Sequence, residues 1–134
     1  MGYWILKSDP ESYGWDNLVK DKITTWDGVR NYQARINLNA MQKNDKALIY
    51  HSNSDKAIIG TAKITKEAFP DKTSSEEGWV AVEITAGKKF KKPVTLLQIK
   101  ADSRLKDIGL VRNSRLSVIP LSEQEFEIIT EMGS

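Results

Sequence analysis

Residues 46–69 read KALIYHSNSDKAIIGTAKITKEAF, and this stretch decides the class of fold. Two β-like runs, Lys46 to Ser52 and Ala57 to Phe69, flank Asn53-Ser54-Asp55-Lys56, a polar connection of hairpin length. The spacing predicts an antiparallel pair. Gly60 interrupts the second run without ending it, which marks a bulge or a place where another backbone comes close.

More strands lie outward on both sides. Tyr3 to Lys7 is an aromatic and β-branched run closed by Ser8-Asp9-Pro10, where Pro10 lacks the amide that would extend a ladder. Trp79 to Thr85 (WVAVEIT) alternates cleanly, and Leu116 to Ile119 is a last strand before Pro120. Pro70 to Gly78 (PDKTSSEEG) contains none of the usual core residues and predicts a mobile surface loop.

Helical patterns fill the gaps. Tyr13, Trp15, Leu18 and Val19 recur at near-helical spacing over Ser12 to Lys20, with Asp16 and Lys20 as an i,i+4 pair and Gly14 as a weak point. Residues 32–41 (YQARINLNAM) fit both periods, but Gln33, Ala34, Arg35, Leu38, Ala40 and Met41 are helix formers and Asn31 can cap, so a helix is expected. Pro93 to Asp107 holds a short helical region reached through a basic Lys88 to Lys92 loop. Ser122 and Glu125 form a capping box, followed by a buried stripe of Phe126, Ile129 and Met132. Short strands with interspersed short helices make this an α+β domain, one unit over residues 1–134, with a small curled or closed sheet.

Composition narrows the function. A 134-residue chain of this kind buries roughly two-thirds of its unfolded surface, enough for a core without staples. The absence of Cys removes disulfides, thiolate metal sites and Cys nucleophiles. The start MGYWILK lacks the charged and apolar regions of a signal peptide, and no apolar run approaches the ~20 residues of a bilayer span, so a cytoplasmic protein with no membrane partner is expected. A monomer is expected as well.

The net charge of +2 conceals a division into blocks: residues 88–115 carry nine basic against two acidic side chains, whereas 67–87 and 116–134 are acidic. Seven of the eleven aromatic residues (Tyr3, Trp4, Tyr13, Trp15, Trp26, Tyr32, Tyr50) fall in the first 50 positions, and all seven are Trp or Tyr. Such rings have polar tips and also serve as platforms for flat ligands; most belong to a core, and about one to three should line a site.

Enzyme signatures are scarce. Phosphate-binding glycine loops, G-x-S-x-G and His-x-x-x-His are missing, and one His excludes a His-rich metal centre, so no cofactor or metal is expected. His51 reads either as a hydrogen-bonded imidazole at a strand end or as a polar group facing a pocket. The most unusual string is TTWDGVRNYQAR, residues 24–35, read as a loop running into a helix N-terminus. Arg30 and Arg35 can bind phosphate, Asn31 can read a base edge and Trp26 can stack on a base. The same residues also fit a hydrophobic anchor at Trp26, a helix cap at Asn31 and an Arg30–Asp27 pair, and the two readings carry similar weight.

Tyr3 to Pro10, Trp26 to Arg35, Tyr50 to Asn53 and Leu110 to Val118 (LVRNSRLSV) together resemble the EVE domain family, in order and over nearly the whole chain. The resemblance implies a PUA-like fold, a curled β-barrel of about five to six strands surrounded by short helices and similar to YTH and ASCH domains. Asp9 stands where the family usually has Glu, and Gly14 where a Ser commonly caps the first helix. For function the resemblance implies a non-catalytic pocket for a flipped modified base, with modified cytosine in DNA the leading candidate. Carried over to this chain, Trp26 stacks, Ser8, Asn31 and His51 hydrogen-bond the base, and Tyr32 and Ser52 complete the pocket. Lys7, Arg30, Arg35, Lys88, Lys89, Arg112 and Arg115 become phosphate or rim contacts. The partner is then DNA or RNA carrying a modified base. Two other classes stay open: an RNA- or nucleotide-processing enzyme using His51 or Asp27 as base, and a module that binds a free small molecule or anion.

Overall fold

The computed structural model describes residues 2–53 and 55–134; Met1 and the hairpin position Ser54 lie outside the described residues. Strands β1 (Tyr3–Ser8), β2 (Ile23–Trp26), β3 (Lys46–His51), β4 (Ala57–Pro70), β5 (Val80–Thr95) and β6 (Val118–Leu121) form one sheet in the order β2-β5-β4-β3-β1-β6. Only β1 and β3 run parallel; every other pairing is antiparallel. Helices α1 (Trp15–Asp21), α2 (Tyr32–Ala40), α3 (Leu96–Ala101), α4 (Gly109–Arg112) and α5 (Glu123–Met132) surround it, and none is long and apolar enough to cross a membrane. The α+β class is as expected, but the hydrogen-bonded ladder does not close into a full barrel.

The β3–β4 hairpin pairs as its sequence predicts. Ile49 faces Gly60 and Tyr50 faces Ile58, so Ile59 is the extra residue of a bulge. Gly60 is required by space: a Cβ there would stand 2.6 Å from Trp15 Cη2 and 2.7 Å from the Lys88 carbonyl oxygen. Further register shifts recur along the β4–β5 ladder, and each adds bend and twist. These shifts curl two strands of 14 and 16 residues.

Four local expectations need correction. Lys88 to Lys92 is not a loop but part of β5, because pairing with β4 outweighs the weak strand propensity of lysine. Pro93 is tolerated there since β2 pairs only with Val82 to Thr85, leaving the later part of β5 as an edge. The last strand is Val118–Leu121 and includes Pro120, on another edge. Thr24 to Trp26 is strand rather than loop, with Thr24 and Trp26 turned inward and Ile23 and Thr25 outward. Of the helical region 93–107, only Leu96–Ala101 is helix, opened by a Thr95–Gln98 capping box.

The core fills the curl of the sheet with Ile5, Leu6, Leu48, Ile58, Ile64 and Ile84, and receives Leu18 from α1, Leu38 from α2, and Ile129 from α5. Trp4, Trp15, Trp26 and Tyr50 are also buried. Polar tips find partners as their burial demands: Trp4 Nε1 donates to Asp45 at 3.0 Å, and Asp45 also accepts the Gly2 and Gln42 amides. Asn37 of α2 donates to the Val118 carbonyl at 2.7 Å, which docks the helix on edge strand β6. Asn31 caps α2 by accepting from the Ala34 amide at 2.9 Å, and Ser122 caps α5 in the expected box.

Candidate nucleic-acid interface

The seam where the ladder fails to close carries a cleft of about 600 Å³. Lys7 and Ser8 at the end of β1, Asp9, Ser12 and Tyr13 of the following turn, and Ser117 form one side; Thr24, Thr25 and Trp26 of β2 and residues 27–30 form the other. Trp26 is 9% exposed and forms an apolar floor, with the Tyr13 ring edge-on at 6.1 Å and 83°.

Most polar groups around this floor are fixed in place. Ser8 Oγ donates to the Tyr13 carbonyl, and the Ser8 carbonyl accepts the Ser52 amide at 2.9 Å and its hydroxyl at 3.2 Å. Lys7 Nζ donates to the Ser114 carbonyl at 2.7 Å, and burial pushes the lysine below its ordinary value. Tyr13 OH donates to Asp21 at 2.7 Å, while burial first and the Asp21 carboxylate besides raise its phenol.

The loop after β2 turns at Gly28, whose φ of +79° lies in the left-handed region and whose missing side chain would have met open space. Asp71 secures this turn. Its carboxylate accepts the Gly28 amide at 2.9 Å, Arg30 Nη1 at 2.9 Å, the Thr73 amide at 2.8 Å and the Thr73 hydroxyl at 2.5 Å. Burial alone would raise the Asp71 carboxyl, yet the bonds from Thr73, Arg30 and Gly28 outweigh it and hold the group well below the usual carboxylate range. Far from being mobile throughout, the 70–78 segment is therefore pinned at Asp71, and Arg30 pairs with this residue rather than with Asp27, which is exposed.

Of the residues singled out in the sequence, Lys7, Ser8, Trp26 and Arg30 meet around this cleft, and Ser52 supports Ser8 from behind. His51 lies elsewhere, lining a second cleft of about 540 Å³ with Lys89, Trp15 and Asp55. Its Nε2 accepts the Trp15 amide at 2.9 Å and its Nδ1 faces Asp55 at 2.9 Å, which assigns the proton to Nδ1. The imidazole thus takes the place of the missing side-chain cap at Gly14 and starts α1. Asn31, Tyr32 and Arg35 sit on the first turn of α2 outside the cleft lining. Lys88 is exposed on β5, Arg112 is exposed and paired with Asp107 at 2.6 Å, and Arg115 is exposed beyond α4. The segment after α4 reaches the cleft through Ser114 and Ser117.

Sequence reasoning missed Asp71 and Trp79. The Asp71-x-Thr73 spacing, which favours a local side-chain turn, was the available signal for the first. Trp79 stacks on Tyr32 at 5.4 Å and 30°, and the Arg35 guanidinium lies 5.0 Å from both ring centres.

The cleft offers an apolar floor, hydroxyls, two cations and the carboxylates of Asp9 and Asp27, a set that suits a flat heteroaromatic ring with donors and acceptors at its edge. Among the described residues no group of three or more acidic or His side chains is placed to hold a metal.

The model of the EVE domain matches residues 2–132. Thymocyte nuclear protein 1 of Mus musculus is 34% identical over 97% of this chain and 73% of its own length. Rpa0253 of Rhodopseudomonas palustris superposes with a TM-score of 0.94 at 42% identity, covering 99% of this chain and 93% of that one. The human THYN1 protein, solved in complex with 5-methylcytosine-containing DNA, superposes with a TM-score of 0.90 at 31% identity, covering 100% of this chain and 98% of that one.

Proposed function

Because the chain belongs to the EVE-domain family and adopts its PUA-like fold, we propose that it binds nucleic acid without catalysis and reads a modified cytosine in DNA, held in the cleft at the sheet seam. The observation that carries this reading is the cleft itself. Its volume of about 600 Å³ falls within the ~300–1,000 Å³ of ligand pockets, and Trp26, Ser8, Lys7 and Arg30 converge on it. The similarity to a protein solved with 5-methylcytosine-containing DNA supports DNA as the polymer.

Magnitudes decide how the cleft must work. Extruding a base costs a few kcal/mol, least where pairing is already weak. Stacking returns ~1–3 kcal/mol per base, so an aromatic floor only balances extrusion. Selectivity then rests on the polar edge, where Ser8 and the loop at 27–30 face the ring, and affinity rests on phosphate contacts by Lys7, Arg30 and the exposed Arg115. His51 acts as a positioning residue for α1, since both ring nitrogens already have partners within the fold. This commitment favours a binding role for the domain over one in which His51 is a general base.

Titration of one oligonucleotide with and without 5-methylcytosine, at fixed salt, tests the reading. Preference for the modified strand that disappears in Trp26→Ala is expected; equal affinity for both strands overturns it.

A further inference from the structure

Outside the cleft, α2 and Trp79, the residue just before β5, build an exposed stack. Tyr32 is 68% exposed, far more than a ring serving only the core, yet it lies against Trp79 at 5.4 Å with the rings 30° apart. Arg35 sits 5.0 Å from both ring centres and Arg30 is 5.7 Å from the Trp79 ring. Arg35 Nη1 also reaches the Gly78 carbonyl at 3.4 Å. The stack is thus preorganised, with Trp79 and Arg35 supporting Tyr32. Arg30 belongs to both features: it lines the cleft and contacts this stack.

From this juxtaposition we infer that Tyr32 is a second stacking platform, which takes an unpaired nucleobase next to the one held in the cleft. Three features select that occupant. A flat exposed ring accepts any base through its π-face. The guanidinium groups of Arg30 and Arg35 supply positive charge for the phosphates on either side, a complement that an apolar protein surface would not require. Continuity through Arg30 places the platform on the same strand path as the cleft. The inference rests on the reading of the cleft as a base site, but it predicts a different signature, because stacking on Tyr32 is blind to cytosine modification.

Binding of four single-stranded oligonucleotides to the full chain, followed by fluorescence anisotropy, tests it: with or without 5-methylcytosine, each with the flanking nucleotides intact or abasic. Tyr32→Ala should weaken binding to both intact strands by the same factor, about five- to tenfold, leaving the preference for the modified strand unchanged. Abasic flanks should cost the wild type a similar factor and cost Tyr32→Ala nothing more, while Tyr32→Phe should bind like the wild type. Unchanged affinity in Tyr32→Ala, or losses from the substitution and the abasic flanks that simply add, would overturn the platform. So would a Tyr32→Ala chain that keeps every affinity but loses self-association in sedimentation, which would assign the face to protein contacts. Loss of modification preference in Trp26→Ala reports separately on the cleft, and a wild type that binds none of the four strands overturns both readings.

Discussion

Arg30 Nη1 meets Asp71 Oδ2 at 2.9 Å and thereby ties the loop after β2 to the loop between β4 and β5. The Asp71 side chain is fully buried, whereas the Arg30 side chain remains 37% exposed. The carboxylate therefore organises the turn, and the guanidinium keeps an exposed face. Asp71→Asn keeps the shape but turns an amide toward donors. A loss of about 1.5–3 kcal/mol is expected from the weakened charged hydrogen bonds, measured by urea denaturation. A loss under ~0.5 kcal/mol would place Asp71 among ordinary surface substitutions.

Acid should remove that contribution. The Asp71 carboxyl is depressed in the folded chain, so its stabilisation is fully present above the unfolded carboxylate value of about 3.9 and disappears as pH falls from there toward the folded value. Wild type and Asp71→Asn should differ at pH 7 and converge progressively below about pH 4. Denaturation midpoints of both chains across this range check the sign: a gap that widens on acidification would contradict it.

The His51–Trp15 contact gives a separate test of assignment. His51→Ala removes the acceptor of the Trp15 amide at the start of α1, and should cost about 1–2 kcal/mol with faster hydrogen exchange at Trp15. Nucleic-acid affinity should stay within about twofold, below the ~0.5 kcal/mol limit of a distant substitution. A large affinity loss with an unchanged exchange rate would instead place His51 in contact with the ligand.

Much of this was written in local patterns. The hairpin was legible because two β-like runs flanked a short polar turn, and α2 and α5 because Asn31 and Ser122 announce their starts. The basic part of β5 was illegible for a physical reason: lysines at 88–92 have little strand propensity, and only pairing with β4 across Gly60 makes them a strand. At the site, proximity in sequence does not give proximity in space. Asn31, Tyr32 and Arg35 follow Trp26 closely, yet the turn at Gly28 sends them onto α2, away from the cleft floor. The link of Asp71 to the cleft was hidden because the partners that make it, Gly28 and Arg30, lie some forty residues away.

Two glycines separate space from backbone conformation. Gly60→Ala would set a methyl 2.7 Å from a backbone carbonyl oxygen and 2.6 Å from the Trp15 ring, an overpacking that costs typically ~1–3 kcal/mol. Gly28→Ala meets nothing within 4 Å and pays only for its φ of +79°, about 1–2 kcal/mol. Melting curves should show both destabilised. Their effects on the β3–β4 bulge should differ: amide shifts around Ile59 are expected in Gly60→Ala alone.

Salt dependence can sort the cations. Each phosphate neutralised on a single strand contributes about −0.7 to the slope of log K against log salt. Lys7 is held at the cleft by Ser114, and Lys7→Met should reduce the slope by that amount. Arg112 stands outside the cleft lining, paired with Asp107 at 2.6 Å on the surface, so Arg112→Gln should change the slope by less. If Lys7→Met leaves the slope intact but alters the ratio of affinities for modified and unmodified strands, the ammonium reads the base edge and the phosphate role passes to Arg30 and Arg115. The same titrations on Arg115→Gln distinguish that redistribution, because a slope reduced there as well leaves the backbone contact with the exposed arginine beyond α4.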